Sequence, residues 1–220
     1  MPSERPVLIV GAGGHGRVIL DILLCQRRTV LGFVDSYKPI GERVAGDYAI
    51  VARDGELGSM ADSAEFLIGV GDCWTRSKIA LALRERYPAL RFTTAVHPSA
   101  VVATDVTLGA GTVVMAGAVI NTGSRIGEHA IFNTNSSVDH DCEIQDFAGV
   151  LPGATLGGNV TVGSFSVVAL GARIIHGIRV GSHSVIGAGA TAVSDVPDSS
   201  IFVGTPARLL RERKPGEPFL

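Results

Sequence analysis

Residues 148–168 read AGVLPGATLGGNVTVGSFSVV. Within this stretch Val150, Leu156, Val162 and Val168 stand six apart, and a small or modest side chain (Ala148, Ala154, Val160, Ser166) sits two positions before each. The spacing continues in both directions without a slip. It runs back through Ile144, Val138, Phe132, Ile126, Ile120, Val114 and Leu108 to Val102, and forward through Ile174 and Val180 to Ile186. A period of six suits neither an α-helix nor an alternating strand. It is the signature of a solenoid with three short β-strands per coil, in which residues n and n+18 stack about 4.8 Å apart.

That register assigns three faces, led by Val102, Leu108 and Val114. The residues flanking each core position point outward. On the second face these are Arg125, Glu143 and Arg179 with Gly109, Gly127 and Gly163, a face suited to water. The third face carries Val113, Ile131, Val167 and Val185 with Met115, Leu151 and Ala169. An apolar column of that length marks an interface. If a neighbour's first face packs on it, the contact is heterologous and closes as a ring of three. The alternative is that the chain's own N-terminal part covers the column.

That N-terminal part, residues 1–95, alternates strand and helix signals: Val7–Val10, a helical spacing over Arg17–Cys25, Val30–Val34 ending at Asp35, Phe66–Val70 and an amphipathic Thr75–Tyr87. This is an α/β unit with a parallel sheet. Residues 96–200 form the solenoid, with Thr93–Pro98 as the junction, and residues 201–220 form a C-terminal cap in which Arg208–Lys214 is expected to be helical. The 220 residues carry a net charge of −2 and no basic run, which removes the electrostatic case for nucleic acid. No stretch approaches a membrane span or the apolar core of a signal peptide. Three cysteines without a CxxC pair suit a reduced, cytoplasmic setting.

Between the first strand and helix, Gly11-Ala12-Gly13-Gly14-His15-Gly16 matches GxGxxG, with Asp35 nineteen residues beyond the last glycine. Such a loop lets a pyrophosphate approach the backbone at a helix N-terminus. A purely structural turn or a nicotinamide dehydrogenase are competing readings. The unit is half the size of a full dinucleotide fold, which favours a nucleoside diphosphate. Gly11, Gly13 and Gly14 would admit it, His15 would contact the pyrophosphate and Asp35 the ribose or base.

In the solenoid, His140 stands between Asp139 and Asp141 at the corner of the first and second faces, in a column reading Thr122, His140, Gly158, His176. The two histidines are two coils apart, about 10 Å, too far to share a metal ion. His129 and His183 share another corner, three coils apart. Flanking carboxylates raise the basicity of His140 and fix its tautomer. Gly158, one coil on, leaves room for a carbonyl to reach a backbone N–H. A base and an N–H donor in adjacent coils are the parts acyl transfer needs. Cys142 occupies a small inward position and reads as a buried structural thiol.

Asn133-Thr134 ahead of Val138-Asp139-His140-Asp141, then Gly157-Gly158-Asn159-Val160, then Phe202-Val203-Gly204-Thr205-Pro206-Ala207-Arg208, resemble the left-handed β-helix acetyltransferases. The N-terminal glycine loop narrows the resemblance to the branch acting on nucleotide-linked amino sugars, as in bacillosamine and perosamine pathways, with sialic-acid O-acetyltransferases as relatives. The resemblance implies a homotrimer with acetyl-CoA between adjacent β-helices and no metal. It implies His140 as base, Asp141 as its acidic partner, and Asn133 against the sugar. Gly158, Leu170 and Ala188 would contact the coenzyme. The family commonly has Glu after the base, so Asp141 is a shorter arm here. The implied reaction is N-acetylation of a 4-amino-4,6-dideoxy sugar linked to UDP, GDP or dTDP. O-acetylation of a sugar such as sialic acid and a non-catalytic nucleotide sensor are the rival expectations.

Overall fold

The computed structural model describes residues 5–218. The N-terminal part forms one sheet of order β3-β4-β2-β1-β5-β6. Its strands are β1 (Val7–Val10), β2 (Val30–Val34), β3 (Arg43–Ala45), β4 (Tyr48–Ala52), β5 (Glu65–Ile68) and β6 (Arg91–Phe92). Strands β1, β2, β4, β5 and β6 are parallel, and β3 turns back antiparallel on β4. Two helices flank the sheet, α1 (Gly14–Cys25) and α3 (Cys73–Arg86), while α2 (Met60–Ser63) is a single turn. Ile19, Leu20, Ile22 and Leu23 give α1 the i, i+3, i+4 stripe of a helix packed on one side, and all four are buried. The β3–β4 hairpin carries no strong sequence signal, because Arg43-Val44-Ala45 is short and largely solvated.

From β7 (Ala95–Val96) the chain enters the solenoid. Two-residue strands from β8 (Val101–Val102) to β23 (Thr191–Ala192) follow, one per six residues. They form three parallel sheets with partners eighteen residues apart, as in Val113↔Ile131, Val119↔Ser137 and Arg125↔Glu143. The six-residue series fills the interior: Val114, Phe132, Val138, Val150, Val162 and Ile186 are fully enclosed. The second face is solvated, as its charges require, with Arg125, Glu143 and Arg179 exposed.

Two expectations are corrected. The Arg208–Lys214 segment is not a helix but the strand β25 (Arg208–Glu212), antiparallel to β24 (Ser200–Val203). The end of a solenoid presents an open strand edge, and pairing that edge satisfies backbone groups that a separate helix would leave bare. The apolar third face, expected to meet a neighbouring subunit, is covered from within the chain. Val113, Met115 and Ile131 pack with Ile9, Ile19, Ile22 and Leu23, and Val167 and Val185 pack with Cys73. Helix α1 is thereby clamped between its own sheet and the solenoid. Burying each such side chain contributes about 1.5–3 kcal/mol.

Arg76 of α3 rivets the two parts. Only 1% exposed, it donates from Nε to the His129 carbonyl at 3.0 Å and from Nη2 to that of Phe147 at 3.0 Å. Its Nη1 serves the carbonyls of Val70 and Gly71. His129, Phe147, Phe165 and His183 are successive corner residues with positive φ, and their rings stack at 5.0, 5.3 and 4.7 Å. Trp74 meets the Phe165 and His183 rings edge-on. Among the described residues no helix is long and apolar enough to cross a membrane.

Candidate active site

His140 and Asp141 lie in the turn after the first-face strand Ser137–Val138. Asp141 adopts φ 58°, a left-handed corner that suits a short polar side chain. This turn brings its Oδ2 to 2.8 Å from the His140 Nδ1, so the shorter Asp arm does reach the imidazole. Asp139 does not bond the ring. It accepts from the His140 backbone N–H at 2.8 Å and from Asn121 Nδ2 at 3.1 Å, and so braces the turn. The Asp141 hydrogen bond, followed by the Asp139 charge, raises the His140 pKa above its ordinary value. With Nδ1–H engaged by Asp141, Nε2 carries the free lone pair.

Gly158 stacks directly on that ring: a Cβ there would stand 2.7 Å from Nε2 and Cε1 of His140. Its own N–H has no hydrogen-bond partner among the described residues, whereas the neighbouring Asn159 N–H serves the His140 carbonyl at 2.9 Å. A proton acceptor and an unspent N–H donor therefore share one corner. His176, one coil further, is exposed. The Cys142 thiol is buried, donates to the Gly157 carbonyl at 3.3 Å and is pushed up in pKa chiefly by burial, as befits a structural thiol.

The glycine loop separates into two roles. A Cβ at Gly16 would lie 2.2 Å from the Gly11 carbonyl oxygen, and one at Gly69 would lie 2.6 Å from Gly16 Cα, so these glycines let helix and strands close up. Gly11 has φ 101°, a conformation that favours glycine. Gly13 and Gly14 have nothing within 4 Å and no positive φ; the fold does not need them, and they leave open space above the α1 N-terminus. That terminus has no side-chain cap and no acidic residue in its first turn, so its N–H groups face outward for an anion. His15, held neutral by burial and the Arg76 charge with a pKa of about 4, offers an enclosed Nε2 without a partner.

Asp35 fastens the loop. Its Oδ2 accepts from the Ala12 N–H at 3.0 Å, and its Oδ1 from those of Tyr37 and Lys38. It also lines a cavity of about 500 Å³ at the C-terminal ends of β1 and β2, walled by Val10, Gly11, Val34 and Val70 on the strand side and by Thr75, Lys78 and Arg86 of α3. Open α/β sheets hold ligands at this edge. Ser36, Tyr37 and Asp54 complete the wall. They carry no motif, so only the folded sheet reveals them.

Asn133, Leu170 and Ala188 lie away from His140, at the opposite edge of the first face, where third and first faces meet. Leu170 is 59% exposed, and Ala188 is exposed beside it in the next coil. Asn133 is half-buried, and its Oδ1 accepts from the Thr134 N–H. One chain thus holds the expected residues in two groups separated by a full face. One further group, Asp21 and Cys25 on the exposed side of α1 with His97 just after β7, has metal-like spacing. The His97 Nδ1, however, accepts from the Ser99 N–H at 3.0 Å, which puts the ring proton on Nε2 and makes that nitrogen a donor.

Residues 6–83 match the family described as the PglD N-terminal domain. The UDP-N-acetylbacillosamine N-acetyltransferase of Bacillus subtilis (strain 168) is 37% identical over 119 residues, 51% of this chain and 52% of that one. The chain thus spans about half the length of that curated relative. Solved structures align over nearly everything. PerB from Caulobacter crescentus, in complex with CoA and GDP-perosamine, is 35% identical with a TM-score of 0.86, covering 94% of this chain and 97% of that one. The acetyltransferase domain of PglB from Neisseria gonorrhoeae, in complex with acetyl coenzyme A, is 31% identical with a TM-score of 0.86, covering 94% and 100%. With this repeat register and this likeness, the chain belongs to the left-handed β-helix, hexapeptide-repeat sugar N-acetyltransferases.

Proposed function

We propose that the chain transfers an acetyl group from acetyl-CoA to the amine of a nucleotide-linked 4-amino-4,6-dideoxy sugar, directly and with His140 as general base. The observation that carries this reading is the 2.8 Å Asp141–His140 contact, which leaves Nε2 free beside the unspent N–H of Gly158. As the neutral amine attacks the thioester carbon, an N–C bond forms and the C–S bond breaks. The proton leaves nitrogen for His140 Nε2 and passes on to the departing sulfur, while the Gly158 N–H steadies the carbonyl oxygen. Residues 1–95 hold the nucleotide at the glycine loop, residues 96–200 carry out acyl transfer and residues 201–220 cap the solenoid. Remote binding of the nucleotide lends energy to the reacting end.

The two separated residue groups support a homotrimer, in which one copy's Leu170–Ala188 edge meets the next copy's His140 corner. The third face is already spent within the chain, so the first face is left for assembly, with Val101, Ile175 and Val193 exposed. The three cysteines are free thiols, in keeping with action in the cytoplasm. The test is acetyl-CoA turnover followed as free thiol. The reading requires thiol release that depends on the amino-sugar nucleotide, and release that is unaffected by any such acceptor would overturn it.

A further inference from the structure

The nucleotide-sugar reading leaves the base open, and the cavity beneath the glycine loop bears on it. Three polar features converge there. Asp54 lines the cavity, and its Oδ1 accepts the Ser36 hydroxyl proton, which orients the carboxylate and leaves one lone pair on Oδ1 and the whole of Oδ2 unspent. Lys78 and Arg86 of α3 line it as well, and neither is ion-paired with a described residue; the Arg86 guanidinium lies 3.6 Å from where a Cβ on Gly55, the neighbour of Asp54, would stand, and Lys78 Nζ lies 5.6 Å from the Trp74 ring centroid. Tyr37, 99% exposed, stands at the rim without packing partners. A bare aromatic ring at the mouth of a cavity is a stacking platform. Asp35 has less to offer the base edge, because three of its acceptor sites already hold the backbone N–H groups of Ala12, Tyr37 and Lys38.

We infer that this cavity selects guanine. A carboxylate takes two parallel N–H donors best, and guanine presents N1–H and N2–H₂ side by side with the O6 acceptor next to them. Uracil and thymine flank a single N3–H with carbonyl oxygens, so Asp54 would face at least one lone pair. Adenine offers one amine beside a ring-nitrogen acceptor. Guanine alone matches a carboxylate with a cation at its side: Asp54 accepts from N1 and N2, and Arg86 or Lys78 donates to O6. Tyr37 stacks on the ring and adds affinity without choosing among bases.

Titration calorimetry of the full-length protein with GDP, IDP, UDP and dTDP tests this. GDP should bind tightest. IDP, which lacks only the N2 amine, should bind about tenfold more weakly. Asp54→Asn should lose about tenfold or more for GDP, close the gap between GDP and IDP, and leave UDP and acetyl-CoA binding unchanged. Tyr37→Ala should weaken all four nucleotides alike. If Asp54→Asn does not fold, the wild-type ranking decides alone. UDP or dTDP binding more tightly than GDP, or an Asp54→Asn protein that keeps the GDP/IDP gap, overturns the guanine assignment and leaves the nucleotide-sugar reading intact. Binding of none of the four overturns both.

Discussion

At His140 the local chemistry sets a measurable pH signature. Only the neutral imidazole can accept a proton, so with His140 as the proposed base activity rises as pH passes upward through its pKa. The Asp141 hydrogen bond and the Asp139 charge raise that pKa, so the acid limb of kcat/KM should have its midpoint above the ordinary histidine value of about 6.5. Asp141→Asn removes the hydrogen-bonded charge and should move the limb downward while lowering the plateau. A limb that does not move would show that Asp141 leaves the base untouched. The His140–Gly158 stacking is legible in the sequence, since an eighteen-residue register puts them in adjacent coils. The Asp141 contact is not, because reach depends on the left-handed turn at residue 141. Asp54 and Tyr37 are illegible for a different reason: no spacing rule links a loop after one strand to a loop after another.

At the scale of elements, the glycine loop and the α3 rivet make separable predictions. Gly13 sits at φ −85° with open space around it, so a side chain there does not strain the fold, contrary to the usual expectation for a loop glycine. Gly13→Val should therefore melt like the wild type, raise the KM for the nucleotide sugar steeply and leave acetyl-CoA affinity unchanged. A folded variant that binds the sugar nucleotide normally but loses acetyl-CoA would reverse the division of labour. Arg76→Leu strips the carbonyls of Val70, Gly71, His129 and Phe147 of their donor; the His129 bond is buried, an unsatisfied buried group costs about 1–3 kcal/mol, and chemical denaturation should show a loss of at least about 1 kcal/mol. Sequence periodicity locates α1 and the coils, yet it misassigns the tail and is silent on Arg76. An edge strand and a buried arginine are chosen by what lies across from them, and that information is not local.

On the scale of the whole molecule, the third-face stripe is an interface, as its apolar column implies, but its partner is the chain's own N-terminal part and not a second subunit. An apolar column specifies burial and not who supplies it. Its closure within the chain leaves the first face as the surface for the proposed homotrimer. Ile175→Glu combined with Val193→Glu places charges where the exposed apolar residues of that face would meet a neighbour in the proposed trimer. Sedimentation should show wild-type trimers at micromolar concentration and a dissociated, inactive double variant; a fully active wild-type monomer would remove the shared site. The proposed reaction rests on His140 as the base between two bound substrates. The direct measurement is single-turnover acetyl transfer by His140→Asn, with saturating acetyl-CoA and a nucleotide-linked 4-amino sugar. A loss of about 10²–10⁴-fold in the chemical step, with both substrates still bound and the oligomer intact, is the predicted result. A chemical step within a few-fold of the wild-type rate would contradict it.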